Sequence, residues 1–430
     1  MVDKSIADEK WIALKDDKKW HWFTKVKSNK KYLKKFKSLT EIFKRIDSGI
    51  TTEKDELIIQ INENNLNLAL EDIKNLNYIE ICRKYNLKIF QDKIDCINQA
   101  KKEVENNEGY KTKIHYRPFD FRNIYYTSSS NGCIGRPRYD IMKHIINKKN
   151  KNIGIVFPRQ VSGVYGFQHV LVSEFIIEGG ITNSRTYFAP LYLYEENSKG
   201  EFKWRLPASG VEKSYKPNWT DSFKEFLQNY LSDNPKEILN YIYAILYSPT
   251  YRENYKEDLK YDYPRIPFTN DKKIFDRLQK LGEELIDLHL LKNTKNSHCE
   301  VNTEAIQNKD CHASNKARAL CVPRSADFSH GNDEISKASY PISGEHKISY
   351  CKYNEEEKRL YINEKQYFEN VKKEVYNYSI GGYKPIEKYI KAREILTLKD
   401  ISHLIKVVSI IERTIYLQEE IDKVWREADF

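Results

Sequence analysis

The run Tyr116-Arg117-Pro118-Phe119-Asp120-Phe121-Arg122-Asn123-Ile124-Tyr125-Tyr126 sets two arginines five residues apart on a β-prone stretch that also carries Tyr116, Tyr125 and Tyr126. Other short β-prone runs accompany it at 113–116, 124–127, 153–157, 169–177 and 186–194. Clusters such as Ser128-Ser129-Ser130-Asn131-Gly132 and Glu178-Gly179-Gly180 separate them, as turn residues separate strands. One helix, at about 139–147, is interposed. The pattern predicts an α+β unit whose mixed sheet is partly solvent-facing.

Working outward, 62–105 reads as helical through Leu66, Leu68, Leu70, Ile73 and Leu76. Before it, 10–45 interleaves Trp11, Trp20, Trp22, Phe23, Tyr32 and Phe36 with thirteen Lys or Arg, against only Asp16, Asp17 and Glu41. Two readings stand side by side. Such a surface suits a phosphate backbone. Equally, lysine stems can cover buried aromatics while their ammonium groups stay in water.

After the β-prone region, Phe223, Phe226, Leu227, Tyr230 and Leu231 share one helical face. A helix at 236–247 is apolar on nearly all sides and should be buried. Pro249 opens a short helix that Pro264 and Pro267 end. Ile274, Leu278, Leu281, Leu285 and Leu288 mark an amphipathic helix over 271–292. Residues 293–346 are polar and aperiodic, a long loop or insertion. Strands are expected at 347–353 and 359–362. A helix at about 398–424 carries Ile401, Leu404, Val408, Ile411 and Ile415 almost as heptads. The expected division is a basic, mainly helical segment at 1–110, the α+β unit with helices at 111–292, the insertion at 293–346, and C-terminal strands with a long supporting helix at 347–430.

The bulk composition fits this picture. The 430 residues suffice for two or three domains, and 40 % apolar with 31 % charged residues, though slightly low and slightly high for a globular protein, do not point to disorder. A net charge of +10 and a pI near 8.9 favour a polyanionic partner. The 31 tyrosines suit wet interfaces and cores alike, and also follow from AT-rich codon usage. Seven cysteines at irregular spacings, a polar Met1-Val2-Asp3-Lys4 and no apolar run near ~18 residues lead to the expectation of a cytoplasmic protein with reduced thiols and no membrane partner.

Missing motifs narrow the chemistry. The sequence has no G-x-x-x-x-G-K-[ST] to cradle a triphosphate and no G-x-G-x-x-G to form a dinucleotide or S-adenosylmethionine pocket. It has no Asn/Asp-Pro-Pro-aromatic tetrapeptide. Asp233-Asn234-Pro235-Lys236 lacks the second proline and the aromatic. A Gly-x-Ser-x-Gly elbow is also absent. Glu356-Glu357-Lys358 lacks the preceding strand and partner Asp of a nuclease centre, and reads as a solvated acidic turn. His298-Cys299, Cys311-His312 and Cys321 could supply zinc ligands, but their spacings of twelve and ten residues match no zinc motif, so ordinary loop residues are expected. No catalytic residue and no metal ligand is assigned.

The 116–126 run resembles the start of the C-terminal specificity region of type ISP restriction–modification enzymes. Other segments match that family in order. They are the run from Ile42 through Gly49-Ile50-Thr51-Thr52-Glu53-Lys54-Asp55, 241–252, 262–268, 281–291, Tyr378-Ser379-Ile380-Gly381-Gly382-Tyr383-Lys384-Pro385 and Lys391-Ala392-Arg393. Lys54 stands where the family has arginine. The resemblance covers about 40–425, most poorly at 293–346. It implies a mixed-sheet target-recognition domain with flanking helical segments and a C-terminal helical support. It also implies that 1–110 joins a methyltransferase to the specificity region. The implied function is DNA-sequence recognition for adenine-N6 methylation and cleavage carried by other domains. Double-stranded DNA is then the partner, possible alongside a separate methyltransferase or nuclease chain. S-adenosylmethionine, ATP and Mg²⁺ are expected for an intact enzyme and none of them in this chain. The chain is expected to be a fragment, a split-gene product or a separate specificity subunit. The alternatives are a diverged methyltransferase or endonuclease, and an inactive remnant that touches only protein.

Arginine forks hold phosphate or read guanine edges, and amides pair with adenine. On that basis Arg117, Arg122, Tyr125, Arg136, Arg138, Arg159, Gln160 and Arg185 are the candidate DNA contacts. The alternative for Arg117 and Arg122 is a structural ion pair, for example with Asp120, with the tyrosines in the core.

Overall fold

The run Gly154-Ile155-Val156-Phe157-Pro158 has no polar side chain, and in the computed structural model it is the centre of a sheet. The structure describes residues 29–88, 94–146, 152–161, 166–194, 215–292, 319–321, 339–341, 346–428 and 430. Asp47–Ser48, Thr186–Pro190, Gly154–Pro158 and Leu171–Ser173 pair in that order, all antiparallel. All five residues of Gly154–Pro158 are buried. A strand covered on both faces needs a continuous apolar run rather than an alternating one. The centre of this inner sheet is therefore covered on both faces, and it is half-buried only at Asp47 and Tyr187 of the flanking strands.

A second, outer sheet alternates only along the first half of Tyr110–Arg117. Ile59–Gln60, Asp120–Tyr126, Tyr110–Arg117 and Ile176–Ile177 pair in that order, the last pair parallel. Lys111 and Lys113 point to solvent, while Ile114 and Ile124 are buried. A strap at 47–51 joins the two sheets. Ile50 donates its N–H to the Ile177 carbonyl at 2.9 Å and accepts from Gly179 at 2.8 Å, and Thr51 exchanges both backbone hydrogen bonds with Arg136 at 3.1 and 2.8 Å. A Cβ at Gly49 would stand 2.7 Å from the Glu178 carbonyl carbon and 2.8 Å from the Gly179 nitrogen, so only glycine fits this approach.

Between the strap and the outer sheet's long strands come the helices Glu63–Asn75, Tyr78–Lys84 and Ile94–Glu105, where the helical pattern was read. The same segment also supplies strands. Lys37–Ser38 pairs with Arg265–Ile266, Asp47–Ser48 with Thr186–Pro190, and Ile59–Gln60 with Asp120–Tyr126. These three pairings cross the position near 110 where the sequence changes texture. Two-residue strands carry no periodicity, so pattern reading passes over them.

The helical part is built on tyrosines. Helix Pro235–Tyr247, capped by Asn234 and started by a proline, is buried from Ile238 to Tyr247. It lies against helix Lys272–His289, where a Cβ on Gly282 would fall 1.9 Å from the Asn240 carbonyl oxygen. Glycine there lets the two backbones touch. Tyr241 donates to the Pro267 carbonyl, Tyr247 to that of Val170 and Tyr251 to that of Arg265, each at 2.8 Å. Tyr243 and His289 Nδ1 are 2.6 Å apart. A buried hydroxyl without a partner costs about 1–3 kcal/mol, and these four have partners. Of the two uses composition allowed tyrosine, these positions take the core.

The C-terminal helix Leu398–Glu427 begins with a capping box between Thr397 and Asp400. It closes over Lys272–His289 through His289 Nε2 and Thr414 Oγ1 at 3.0 Å and Arg413 with Glu284 at 2.7 Å. Its Asp422 accepts from Ser248 Oγ at 2.6 Å and from the Thr250 N–H at 3.1 Å, holding the start of helix Pro249–Asn254. Before it in the chain comes a small antiparallel sheet of Lys352–Asn354, Arg359–Tyr361 and Tyr367–Phe368. Of the insertion, Ala319–Cys321 pairs with Ser339–Pro341. His298, Cys299, Cys311 and His312 lie outside the described residues, as do Trp11, Trp20, Trp22 and Phe23. Among the described residues no helix is long and apolar enough to cross a membrane.

Candidate nucleic-acid interface

Gly154–Pro158 and Thr186–Pro190 run antiparallel, with Pro158 opposite Thr186. The chain leaves this pair at Arg159 and enters it from Arg185. Both arginines are exposed and flank the same register pair at one end of the inner sheet. Two rings connect them. Tyr187 and Tyr263 meet edge to face with centroids 5.3 Å apart. The Arg185 guanidinium carbon lies 5.9 Å from the Tyr187 centroid, and that of Arg159 lies 5.6 Å from Tyr263. The result is a ledge of two tyrosines with a guanidinium at each end.

This ledge keeps its charges available. Arg159 pairs with Asp262 at 3.9 Å, and the two side chains are 54 % and 62 % exposed. An ion pair so open to water is worth little. Gln160 is exposed, and its amide reaches the Tyr261 carbonyl only at 3.5 Å. Two further arginines lie on the turn bonded to the strap. Arg136, bonded through its backbone to Thr51, exposes its side chain. Arg138 takes the left-handed backbone conformation, φ 51°, and its guanidinium lies 3.7 Å from Asp47, the residue paired with Phe188. Guanidiniums in this state can fork onto phosphate oxygens or guanine edges, and the tyrosine faces offer stacking area.

The other candidates lie elsewhere. Arg117 pairs with Glu178 at 2.5 Å and Arg122 with Asp120 at 2.8 Å, and both arginine side chains are less than a sixth exposed. Burial opposes the Arg117 charge, yet Glu178 and its other neighbours hold its pKa above the ordinary value. Asp120 also meets Arg393 at 3.2 Å, and Arg393 meets Asp400 at 3.0 Å. This hub ties the outer sheet to the C-terminal helices. Tyr125 is buried, accepting from the Gly109 N–H at 2.9 Å, and burial raises its pKa. The ion-pair alternative read for Arg122 with Asp120 is thus present, together with the core position for Tyr125.

Tyr187 and Tyr263 were not singled out from the sequence as contacts. Tyr263 sits in the proline-stiffened link 262–267, whose Arg265 pairs with Glu41 at 3.5 Å. Its meeting with Tyr187 is a long-range contact that no local pattern announces. In the basic N-terminal run, the described helix Lys30–Lys35 buries Tyr32 and exposes Lys31, Lys34 and Lys35. Phe36, just after it, is buried as well. Among the described residues, no group of three or more His, Cys, Asp or Glu is arranged to hold a metal ion.

Solved structures share this fold, three of them bound to DNA. One is the ATP-dependent Type ISP restriction-modification enzyme LlaBIII bound to DNA, 18% identical, with a TM-score of 0.62 over 92% of this chain and 24% of that one. A nuclease-deletion mutant of the Type ISP restriction-modification enzyme LlaGI, in complex with a DNA substrate mimic, is 18% identical with a TM-score of 0.60 over 97% of this chain and 36% of that one. The DrdV–DNA complex is 17% identical with a TM-score of 0.60, covering 99% and 41%. At these identities the likeness is one of fold, and this chain spans less than half the length of each. No significant match exists among curated proteins. The family model of the Type ISP C-terminal specificity domain matches residues 41–420. The chain therefore belongs to the family of Type ISP C-terminal specificity domains.

Proposed function

We propose that this chain reads duplex DNA sequence for a restriction–modification system whose catalytic parts lie in other domains or chains. The observation that carries the reading is the ledge. Arg159 and Arg185 flank the Tyr187–Tyr263 pair at an open sheet end, with exposed Gln160 next to Arg159. Guanidiniums and an amide at strand ends have the reach and hydrogen-bonding pattern for base edges, and Arg136 and Arg138 on the turn bonded to the strap suit phosphates. The relatives of this fold are described as DNA-bound, which supports the same reading. In this proposal the modification is adenine-N6 methylation. S-adenosylmethionine, ATP and Mg²⁺ belong to the catalytic parts of the intact enzyme, not to the residues described above.

The test is a titration of the full chain on random and specific duplexes at several salt concentrations. The double variant Arg159→Gln/Arg185→Gln is expected to lose about tenfold or more in affinity, because each lost guanidinium contact is worth about 1–3 kcal/mol. Unchanged affinity, or no duplex binding by the unaltered chain at low salt, would overturn the reading.

A further inference from the structure

From the outer sheet toward helix Pro385–Lys391, cations and rings alternate. The guanidinium carbons of Arg122 and Arg117 lie 4.2 and 3.9 Å from the Tyr116 centroid. Arg117 lies 5.5 Å from the Tyr383 centroid, and the Lys388 ammonium lies 5.1 Å from that same ring. The series is Arg122, Tyr116, Arg117, Tyr383, Lys388. It joins the outer sheet to helix Pro385–Lys391. A ring face attracts a cation, so each tyrosine lets two like charges sit closer than water alone would favour.

The two ends of this ladder differ. At the inner end Asp120 and Glu178 answer Arg122 and Arg117, and Asp55 accepts from the Tyr116 hydroxyl at 3.0 Å. At the outer end Lys388 is exposed, and no ion pair joins it to a carboxylate of the described residues. Its helix neighbours are occupied. Lys384 donates to Asn377 at 2.8 Å, and Lys391 pairs with Glu387. Desolvation, then the charges of Arg117 and Arg122, hold the Lys388 pKa below the usual lysine value, with Asp120 opposing them. The field at Lys388 is therefore one that an anion would relieve.

Position supplies the second argument. Tyr383 follows the turn Gly381-Gly382, and Gly381 has φ +62°. Gly381 donates to the Gln168 carbonyl at 2.9 Å and Gly382 to that of Thr182 at 3.3 Å. A Cβ on Gly382 would meet the Asn183 side chain at 2.5 Å. Asn183 lies two residues before Arg185. The ladder's outer end is thus linked through this turn to the arm that carries the ledge.

We propose that Lys388 is a phosphodiester contact, held out by the cation–tyrosine ladder to grip the DNA backbone beside the ledge regardless of base sequence. The proposal rests on the DNA-recognition reading. Its test uses the full chain, a random-sequence duplex and a specific duplex, titrated across a salt series. Lys388→Gln is expected to weaken both duplexes by a similar factor, about threefold or more, and to flatten the salt dependence by about one counterion. Lys391→Gln, whose ammonium pairs with Glu387, should lower both affinity and salt slope less than Lys388→Gln does. A Lys388→Gln variant with unaltered affinity and salt slope, in a protein whose Arg159→Gln/Arg185→Gln variant loses affinity, would overturn the Lys388 contact and leave the DNA reading standing. Absence of duplex binding by the unaltered chain would remove both.

Discussion

Arg122 and Arg185 are the same residue type in two environments. Arg122 is mostly covered, 2.8 Å from a carboxylate that is itself 2 % exposed. Arg185 is open to solvent beside a tyrosine ring. A covered guanidinium must be paired, because an unpaired charge out of water costs several kcal/mol, and once paired it holds the fold. An open guanidinium pays little to stay unpaired and is available to a ligand. The difference teaches that an arginine's employment follows from the nearest acid and its depth, not from its neighbours in sequence.

The strongest way to break this contrast is at the hub. Asp120→Ala leaves Arg122 without its carboxylate and Arg393 with only Asp400. It is expected to lower unfolding stability by about 3–5 kcal/mol, read as a fall in the urea midpoint. A loss comparable to a surface mutation would show that the hub is not a buried network.

Acid should act on the interior. Burial holds His115 and His289 near pKa 3 and His169 near 4, against 6.5 for a free histidine. Below about 6.5 the unfolded chain binds protons that the folded chain refuses, so stability falls as pH drops from there toward 4. Above that window these histidines add no pH dependence. Thermal unfolding followed through the window should show the decline. A flat melting temperature would mean that these imidazoles are not held neutral by burial.

The smallest effect sharpens the contrast from the other side. Arg159→Gln/Arg185→Gln, the variant that should lose DNA affinity, is expected to keep its unfolding stability within about 0.5 kcal/mol. A large loss would place these arginines in the hub's class.

Much of the architecture was legible because it rests on local periodicity. The helices at 235–247 and 272–289, the long C-terminal helix and the apolar strand 154–158 all announce themselves in spacing and caps. The strands at 37–38, 47–48 and 59–60 did not, since two residues make no pattern and their partners lie far along the chain. The same limit governs the candidate site. Sequence selected Arg136, Arg138, Arg159, Gln160 and Arg185, all in turns or at strand ends. It selected Arg117, Arg122 and Tyr125 with equal force, and could not see Glu178 closing on Arg117 from sixty-one residues away.

By itself the sequence determined the α+β class, the order of the main elements and the family of the ordered motifs. Each depends on residues near one another in the chain, where spacing and side-chain type are enough. The tertiary structure alone decided which arginines are spent on acids and which stay open. It also brought Tyr263 against Tyr187 and set Lys388 at the end of a ladder begun on another strand. Those outcomes depend on burial and on the nearest opposite charge, and both come into being only when distant segments pack together.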